Sequence, residues 1–545
     1  MNRSLQRLAI PLLFLWVLFA GLYGAWHDSL TTDEGIHVAS GYLILTRGDF
    51  RFDAEHPPLF KALSALPLLA LHLQPPAEDA KFWDAAAPTF FDSWRESRSW
   101  SDSWFFTSGN PTDKMVFLMR LPAVLCLITL CLVVYRATRE WFGQAAATAS
   151  LVFLAFNPNV LAHGHLANTD LPLVLISALT LWALTRYQQR PTLRQAILLG
   201  FLLGICLLTK FSGVILIPVV AAWIWLAKWR EPDYSTHLGH VLSTLLTSWI
   251  VLWIGYSGHS HFIPGGPYFL GGAKLTHYLG VFHIPLTVVS QLIPIDWLKG
   301  FLLVDGSALS GRSTYILGHA YHNGIWYYFP ALFFLKIQLV GIALLAYGAA
   351  TARWRTSEER ATHLLLGSTA TLILVVSMVN RLNIGIRHIL TLLVIANVYM
   401  GLSFVVAWGR NRRIAALVLI LYILPVLLQF SNLLAYHSEL VQPPERAWWY
   451  FSDSNLDWGQ QSQLVAKTAQ QEFPGQTFYT NYPWGPFLLP HFGLSTRPFS
   501  PTQPPRHGIA IVTADQLSDP LYNRFVDQKP VAYLDGNTFF YRLDQ

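Results

Sequence analysis

Charge is scarce in this chain. Only 12% of its 545 residues are Asp, Glu, Lys or Arg, against about a quarter in globular proteins. So few charges cannot form a wet shell around a composition that is 53% hydrophobic, and most of the chain belongs in lipid. Cysteine is nearly absent. Cys126, Cys131 and Cys206 all lie inside apolar runs, which leaves no disulfide framework and no zinc pattern. No Gly-rich phosphate loop opens a helix, and there is neither an internal repeat nor a low-complexity tract. The formal net charge of +6 is spread through short loops, which points to membrane topology and away from nucleic acid.

What is present is a series of long apolar segments. Eleven approach the ~20 residues needed to cross a bilayer, at roughly 8–26, 115–135, 144–162, 170–185, 196–209, 211–228, 239–257, 326–349, 363–380, 388–408 and 414–435. The first lacks a clear small-residue cleavage site before His27 and reads as an uncleaved anchor. If Arg3 and Arg7 are cytoplasmic, the inner loops carry fifteen Arg and Lys residues, and the short outer loops only Lys210, Arg381 and Arg387. That positive-inside bias fixes the orientation, and an odd number of spans puts the C-terminus outside. The expected fold is therefore a polytopic α-helical membrane protein of about eleven spans over residues 1–437. A small α/β periplasmic domain is expected over 438–545. There, 457–472 reads as a helix capped by Asp453, Ser454 or Asn455, and QTFYTNY, GIAIVTA, PVAYLDG and NTFFYRL read as strands. The last two are joined through Asp535-Gly536-Asn537 as a hairpin.

The orientation gathers ionisable residues on the outer face. The first outer loop, 27–113, sets Asp33, Glu34, His37, Asp53, Glu55 and His56 beside the membrane, with apolar-faced helices expected at 34–46 and 58–73, lying along the membrane surface. The large outer loop 258–325 contains His259 and His261, and its Gly and Pro residues suit an ordered cap over a cavity. Asp33 and Glu34 fit the first turn of a helix capped by Thr31 or Thr32; they equally fit a general base that takes a proton from an attacking hydroxyl. Glu55 and His56 either decorate a proline turn or hold a cation or substrate, and His259 and His261 could join Glu55 around a divalent metal. Asp170 opens the fourth segment, as a cap or as a second acid. Lys336 lies about ten residues inside the eighth segment, too deep to reach water easily, and should face an anion or an acid. Arg387 and His388, at an outer mouth, suit a phosphate or a lipid headgroup.

These residues resemble, in order, the motifs of the C-type glycosyltransferases of the protein O-mannosyltransferase and aminoarabinose-transferase superfamily. The likeness rests on Asp33-Glu34, on Glu55-His56-Pro57-Pro58-Leu59 and on Asp170. Tyr327-Tyr328-Phe329-Pro330 through Lys336, Gly385-Ile386-Arg387-His388, and the stretch Ser452 to Gln460 resemble bacterial members. The resemblance implies a polyprenyl-phosphate sugar as donor, with undecaprenyl phosphate as the carrier, and a protein, glycan or lipid hydroxyl as acceptor. It implies an inner-membrane enzyme with Asp33 as base, Asp170 as second acid and Glu55 near the carrier, where some members hold a metal. Departures from the pattern are His56 in place of a Lys, Ile337-Gln338 in place of Thr-Pro, and Thr391 in place of a Pro. The first weakens aminoarabinose as the sugar. The alternative class is a transporter or a lipid-binding membrane protein. Transporters tend to show inverted repeats and midplane acids, whereas these acids sit in loops on one face.

Overall fold

The computed structural model describes residues 3–50, 52–77, 90–227, 234–256, 292–351, 356–482 and 486–543. Helix covers most of each expected segment. Five described helices are long and apolar enough to cross a membrane, or six if one bent pair counts as a single span. Thr112–Ala155 is a continuous run of 44 residues, but Gly143 inside it has φ 85° and ψ 175°. That conformation is open to glycine without strain, and it divides the run into the second and third segments. Leu193–Thr209 and Phe211–Leu226 are apolar but shorter, and they separate at Lys210, where the backbone is extended.

The eighth segment is not one straight span. Tyr328–Lys336 and Leu339–Thr351 are bent by 109°, and the break falls on Ile337-Gln338. Helix packing uses small residues where backbones must approach: a Cβ on Gly200 would come 2.4 Å from the Thr244 carbonyl. Leu8, Leu12 and Leu15 on the first helix and Leu417, Leu421, Leu424 and Leu428 near the last remain exposed, as lipid-facing side chains do.

Both short helices of the first loop form. Glu34–Arg47 ends on Gly48 with φ 66°, a left-handed cap that favours glycine. Its first two turns are buried on every side, so it is enclosed by protein where a surface-lying helix was expected. Pro58–Ala65 begins with proline in the first turn and continues as a 3-10 turn, Leu66–Ala70. Phe90–Phe106 is a third helix in this loop.

After residue 438 comes a five-stranded sheet in the order β4-β3-β5-β7-β6. Its strands are β3 Phe478–Tyr479, β4 Thr496–Arg497, β5 Ile509–Thr513, β6 Ala532–Leu534 and β7 Thr538–Arg542. A separate hairpin pairs β1 Thr314–Ile316 with β2 His319–Tyr321. The expected β6–β7 hairpin is present, with Asp535 and Gly536 both at positive φ. The helix expected from 457 starts only at Ser462, because the preceding residues are committed elsewhere. Ala510, Val512, Phe539 and Tyr541 share one core with Phe451, Trp458 and the helices of the bundle. The sheet is thus packed onto the membrane part.

Candidate active site

The first helix ends at His27, and the chain turns through Thr31-Thr32 into Glu34–Arg47. Asp33 sits at that turn. Its carboxylate meets the Arg387 guanidinium at 2.9 Å, and a quarter of the Asp33 side chain remains accessible. Burial works against its charge, but the cationic neighbours, Arg387 foremost, outweigh burial and hold the Asp33 carboxyl below the usual range. Arg387 also lies over the Trp458 ring, 4.1 Å from its centroid.

Asp170, at the start of Asp170–Gln189, pairs with Lys210 at the break between two shorter helices. The two acid–cation pairs belong to one cluster. Arg387 interacts electrostatically with both Asp33 and Asp170, and His388 with both acids and with Lys210. His56 interacts with Lys210 and Asp170, and its ring meets that of His37 edge-on at 4.6 Å. Burial pushes the His37 and His56 imidazoles below their ordinary range, so both are neutral at physiological pH. Glu55 goes the other way: burial and the neighbouring Asp53 and Asp33 raise it to about 8.

Among the described residues, several buried polar atoms of this cluster have no hydrogen-bond partner. They include His37 Nδ1, His56 Nδ1, His163 Nδ1, Asn168 Nδ2, Arg387 Nε and His388 Nε2. An unmade hydrogen bond at a buried group costs about 1–3 kcal/mol. Several such groups lie beside the two ion pairs.

The other expected site residues are placed differently. Glu34, expected beside Asp33 in the chemistry, is wholly enclosed. Arg120 grips it with Nε at 2.8 Å and Nη2 at 2.6 Å. The Ala167 and Thr31 N–H groups and the Thr31 hydroxyl donate to the same carboxylate. Its acceptors are spent within the protein, which makes it a fastener of the first loop. Among the described residues, Lys336 meets no acid. Its ammonium donates to the carbonyls of Leu434 and Asn455, each at 2.8 Å, because the bend after Lys336 aims it at the chain entering the C-terminal sheet. His259 and His261 lie outside the described residues. No group of three or more His, Cys, Asp or Glu side chains able to hold a metal occurs among the described ones. Glu55 is the member of the expected ligand set within them, and a cation there would relieve its repulsion with Asp53 and Asp33.

Four residues escaped the sequence reading as site elements. Arg120 and Lys210 are single cations set in apolar surroundings, the same signal that marks Lys336. Lys61 pairs with Asp53 at 3.4 Å and donates to the Asp53 carbonyl at 2.6 Å. Trp458 lies within the Ser452 to Gln460 stretch that carries the resemblance, but nothing local marks it as the ring that meets Arg387.

Residues 111–254 match the family model described as dolichyl-phosphate-mannose-protein mannosyltransferase. No curated protein sequence matches the chain. Solved structures resemble it distantly. ArnT from Cupriavidus metallidurans in the apo state is 13% identical, with a TM-score of 0.48, over 97% of each chain. The Archaeoglobus fulgidus oligosaccharyltransferase tethered to an acceptor peptide is 12% identical, with a TM-score of 0.47, over 91% of this chain. The chain spans 64% of the length of that archaeal protein. The Saccharomyces cerevisiae protein O-mannosyltransferase Pmt1–Pmt2 complex bound to the sugar donor is 19% identical, with a TM-score of 0.35, over 47% of this chain and 33% of that one. The family match falls on the helices that carry Arg120, Asp170 and Lys210, between the motifs at Asp33 and at Arg387. Over residues 111–254, then, the chain is similar to the protein mannosyltransferase family.

Proposed function

We propose that this enzyme moves a sugar from a polyprenyl-phosphate carrier to a hydroxyl acceptor, with Asp33 as general base. The observation that carries the reading is the Asp33–Arg387 pair, set in one electrostatic cluster with Asp170 and Lys210 and bordered by unpartnered buried donors. Asp33 is ionised and partly accessible, as a base must be. Arg387 spends Nη1 on Asp33, and its buried Nε is left to donate to a phosphate oxygen. One guanidinium then faces both the proton acceptor and the leaving group.

In the reaction the acceptor oxygen attacks the anomeric carbon as the carbon–oxygen bond to phosphate breaks. The hydroxyl proton passes to Asp33, and the bonding pair leaves on the polyprenyl phosphate. Configuration inverts in this single displacement. Charge growing on the leaving phosphate is stabilised by the fixed cations Arg387 and Lys210. Asp170 holds Lys210 in place. Neutral His37 and His56 can bond sugar hydroxyls without adding charge. A divalent ion held at Glu55 would further neutralise the leaving group.

Positive-inside loop charge puts this end of the bundle outside. The reading is then an inner-membrane protein with its site and residues 438–545 in the periplasm, and undecaprenyl phosphate as the carrier. A transporter would place its acids near the midplane of the spans, and the loop position of Asp33 and Glu55 argues against that class. The test is incubation of the purified full chain with candidate polyprenyl-phosphate sugars and hydroxyl acceptors. Loss of sugar from the carrier that depends on Asp33 supports the reading; carrier sugars left intact with every donor and acceptor overturn it.

A further inference from the structure

The segment from Ser452 to Gln463 touches the site at more points than a domain linker needs. Its first part holds the loop before Arg387: Ser454 Oγ donates to the Ile384 carbonyl at 2.6 Å, and the Ile386 N–H donates to Asn455 Oδ1 at 2.9 Å. Gly385 makes the approach possible, with φ 131° and room for no Cβ, which would lie 2.4 Å from Ser454 Oγ. Its later part holds the loop before Asp33. The Thr32 N–H donates to the Trp458 carbonyl at 2.9 Å, the Ser29 N–H to the Gln460 carbonyl at 2.8 Å, and the Gln463 N–H to Ser29 Oγ at 2.9 Å. Trp458 stands where the two grips meet. Its carbonyl anchors Thr32, next to Asp33, and its ring underlies Arg387 at 4.1 Å.

From this arrangement we infer that Trp458, contributed by the C-terminal region, is a positioning residue that sets Arg387 against Asp33 and so makes that region part of the active site. The bearing on catalysis rests on the function proposed above; the mechanical coupling does not. A guanidinium over an indole face in a desolvated site is held in orientation as well as attracted. Without that face, Arg387 gains other rotamers and the distance to Asp33 is no longer fixed. The Trp458 carbonyl is backbone and survives substitution, so side-chain variants probe the ring alone.

The experiment uses the full-length protein in detergent or nanodiscs, with Trp458→Met, which fills the space without a π face, and Trp458→Phe, which keeps one. Thermal unfolding is measured for Trp458→Met, Asp33→Asn and the double variant. Among the described contacts the Trp458 side chain reaches Asp33 only through their shared partner Arg387, so a coupling between the two reads that guanidinium and its absence leaves additive shifts. The inference expects non-additivity, with Asp33→Asn costing less in the Trp458→Met background. Additive shifts overturn it, whether or not sugar transfer is ever observed. In the transfer assay kcat should fall roughly three- to thirtyfold in Trp458→Met, the range a cation–π contact spans, with a smaller change in donor KM and a milder fall in Trp458→Phe. Equal losses in Met and Phe that follow only the amount of folded protein also overturn it. A wild-type chain inactive with every donor, beside a non-additive cycle, rejects the proposed reaction and leaves the coupling standing.

Discussion

Asp33 and Arg387 stand 354 positions apart in the chain and meet at 2.9 Å. One side chain comes from the turn after the first helix, the other from the mouth of Leu390–Arg410. The contact closes the first loop over the bundle, and it fixes the protonation state of the acid. An isolated buried carboxylate would rise toward neutrality; this one is held ionised by its partner.

Removing the partner should therefore move the acid limb of the pH–rate profile. In Arg387→Ala, Asp33 loses the influence that lowers it while burial remains, so its titration moves to higher pH. Measured as kcat/KM for transfer against pH, the acid limb should shift upward and the maximal rate should fall. Arg387→Lys should lie between the two, since an ammonium restores charge but not the fork. An acid limb at the wild-type position in Arg387→Ala would show that Asp33 is not the titrating base.

Glu34 predicts a stability effect. Glu34→Gln leaves Arg120 buried without a counter-charge, at a cost on the order of 3–5 kcal/mol, read as a lowered unfolding temperature. Glu34→Gln/Arg120→Met should recover part of it. The Glu34 carboxyl is depressed in the folded state. Its contribution is thus present above the unfolded value of about 4.3 and fades as pH falls through the lower folded value; Glu34→Gln should lack that acid loss. Unfolding at the wild-type temperature together with lost transfer would return Glu34 to the chemistry.

Lys336 makes a contrasting case. Lys336→Met strands the carbonyls of Leu434 and Asn455, about 1–3 kcal/mol for each buried group left unbonded. Limited proteolysis between 438 and 461 should quicken, while affinity for polyprenyl phosphate changes little. A fall in that affinity of roughly tenfold or more, the value of a charged hydrogen bond to phosphate, would restore the anion-binding role that its depth in the chain first suggested.

The helical bundle was legible because lipid imposes a length and composition on every span, and the hairpin at Asp535-Gly536-Asn537 because only certain residues accept positive φ. Asp33, Asp170 and Arg387 stood out as charges at the edges of apolar runs. What could not be read was pairing. Adjacent acids look alike in sequence, yet Asp33 faces Arg387 while Glu34 turns to Arg120, one residue of helical rotation away. The helix at Ser462 begins late for a similar reason: Asp453 to Gln461 are held by loops far away in the chain, and tertiary contacts override the local capping signal.

The central claim is that Asp33 accepts the acceptor's proton while a lipid-borne sugar is displaced. The most direct measurement is the rate of sugar loss from a polyprenyl-phosphate donor by purified wild type and Asp33→Asn, each at matched folded amounts. Asp33→Asn should retain donor binding and transfer at least about a hundred times more slowly, the lower end of what a general base supplies. Turnover by Asp33→Asn close to that of the wild type would contradict the account.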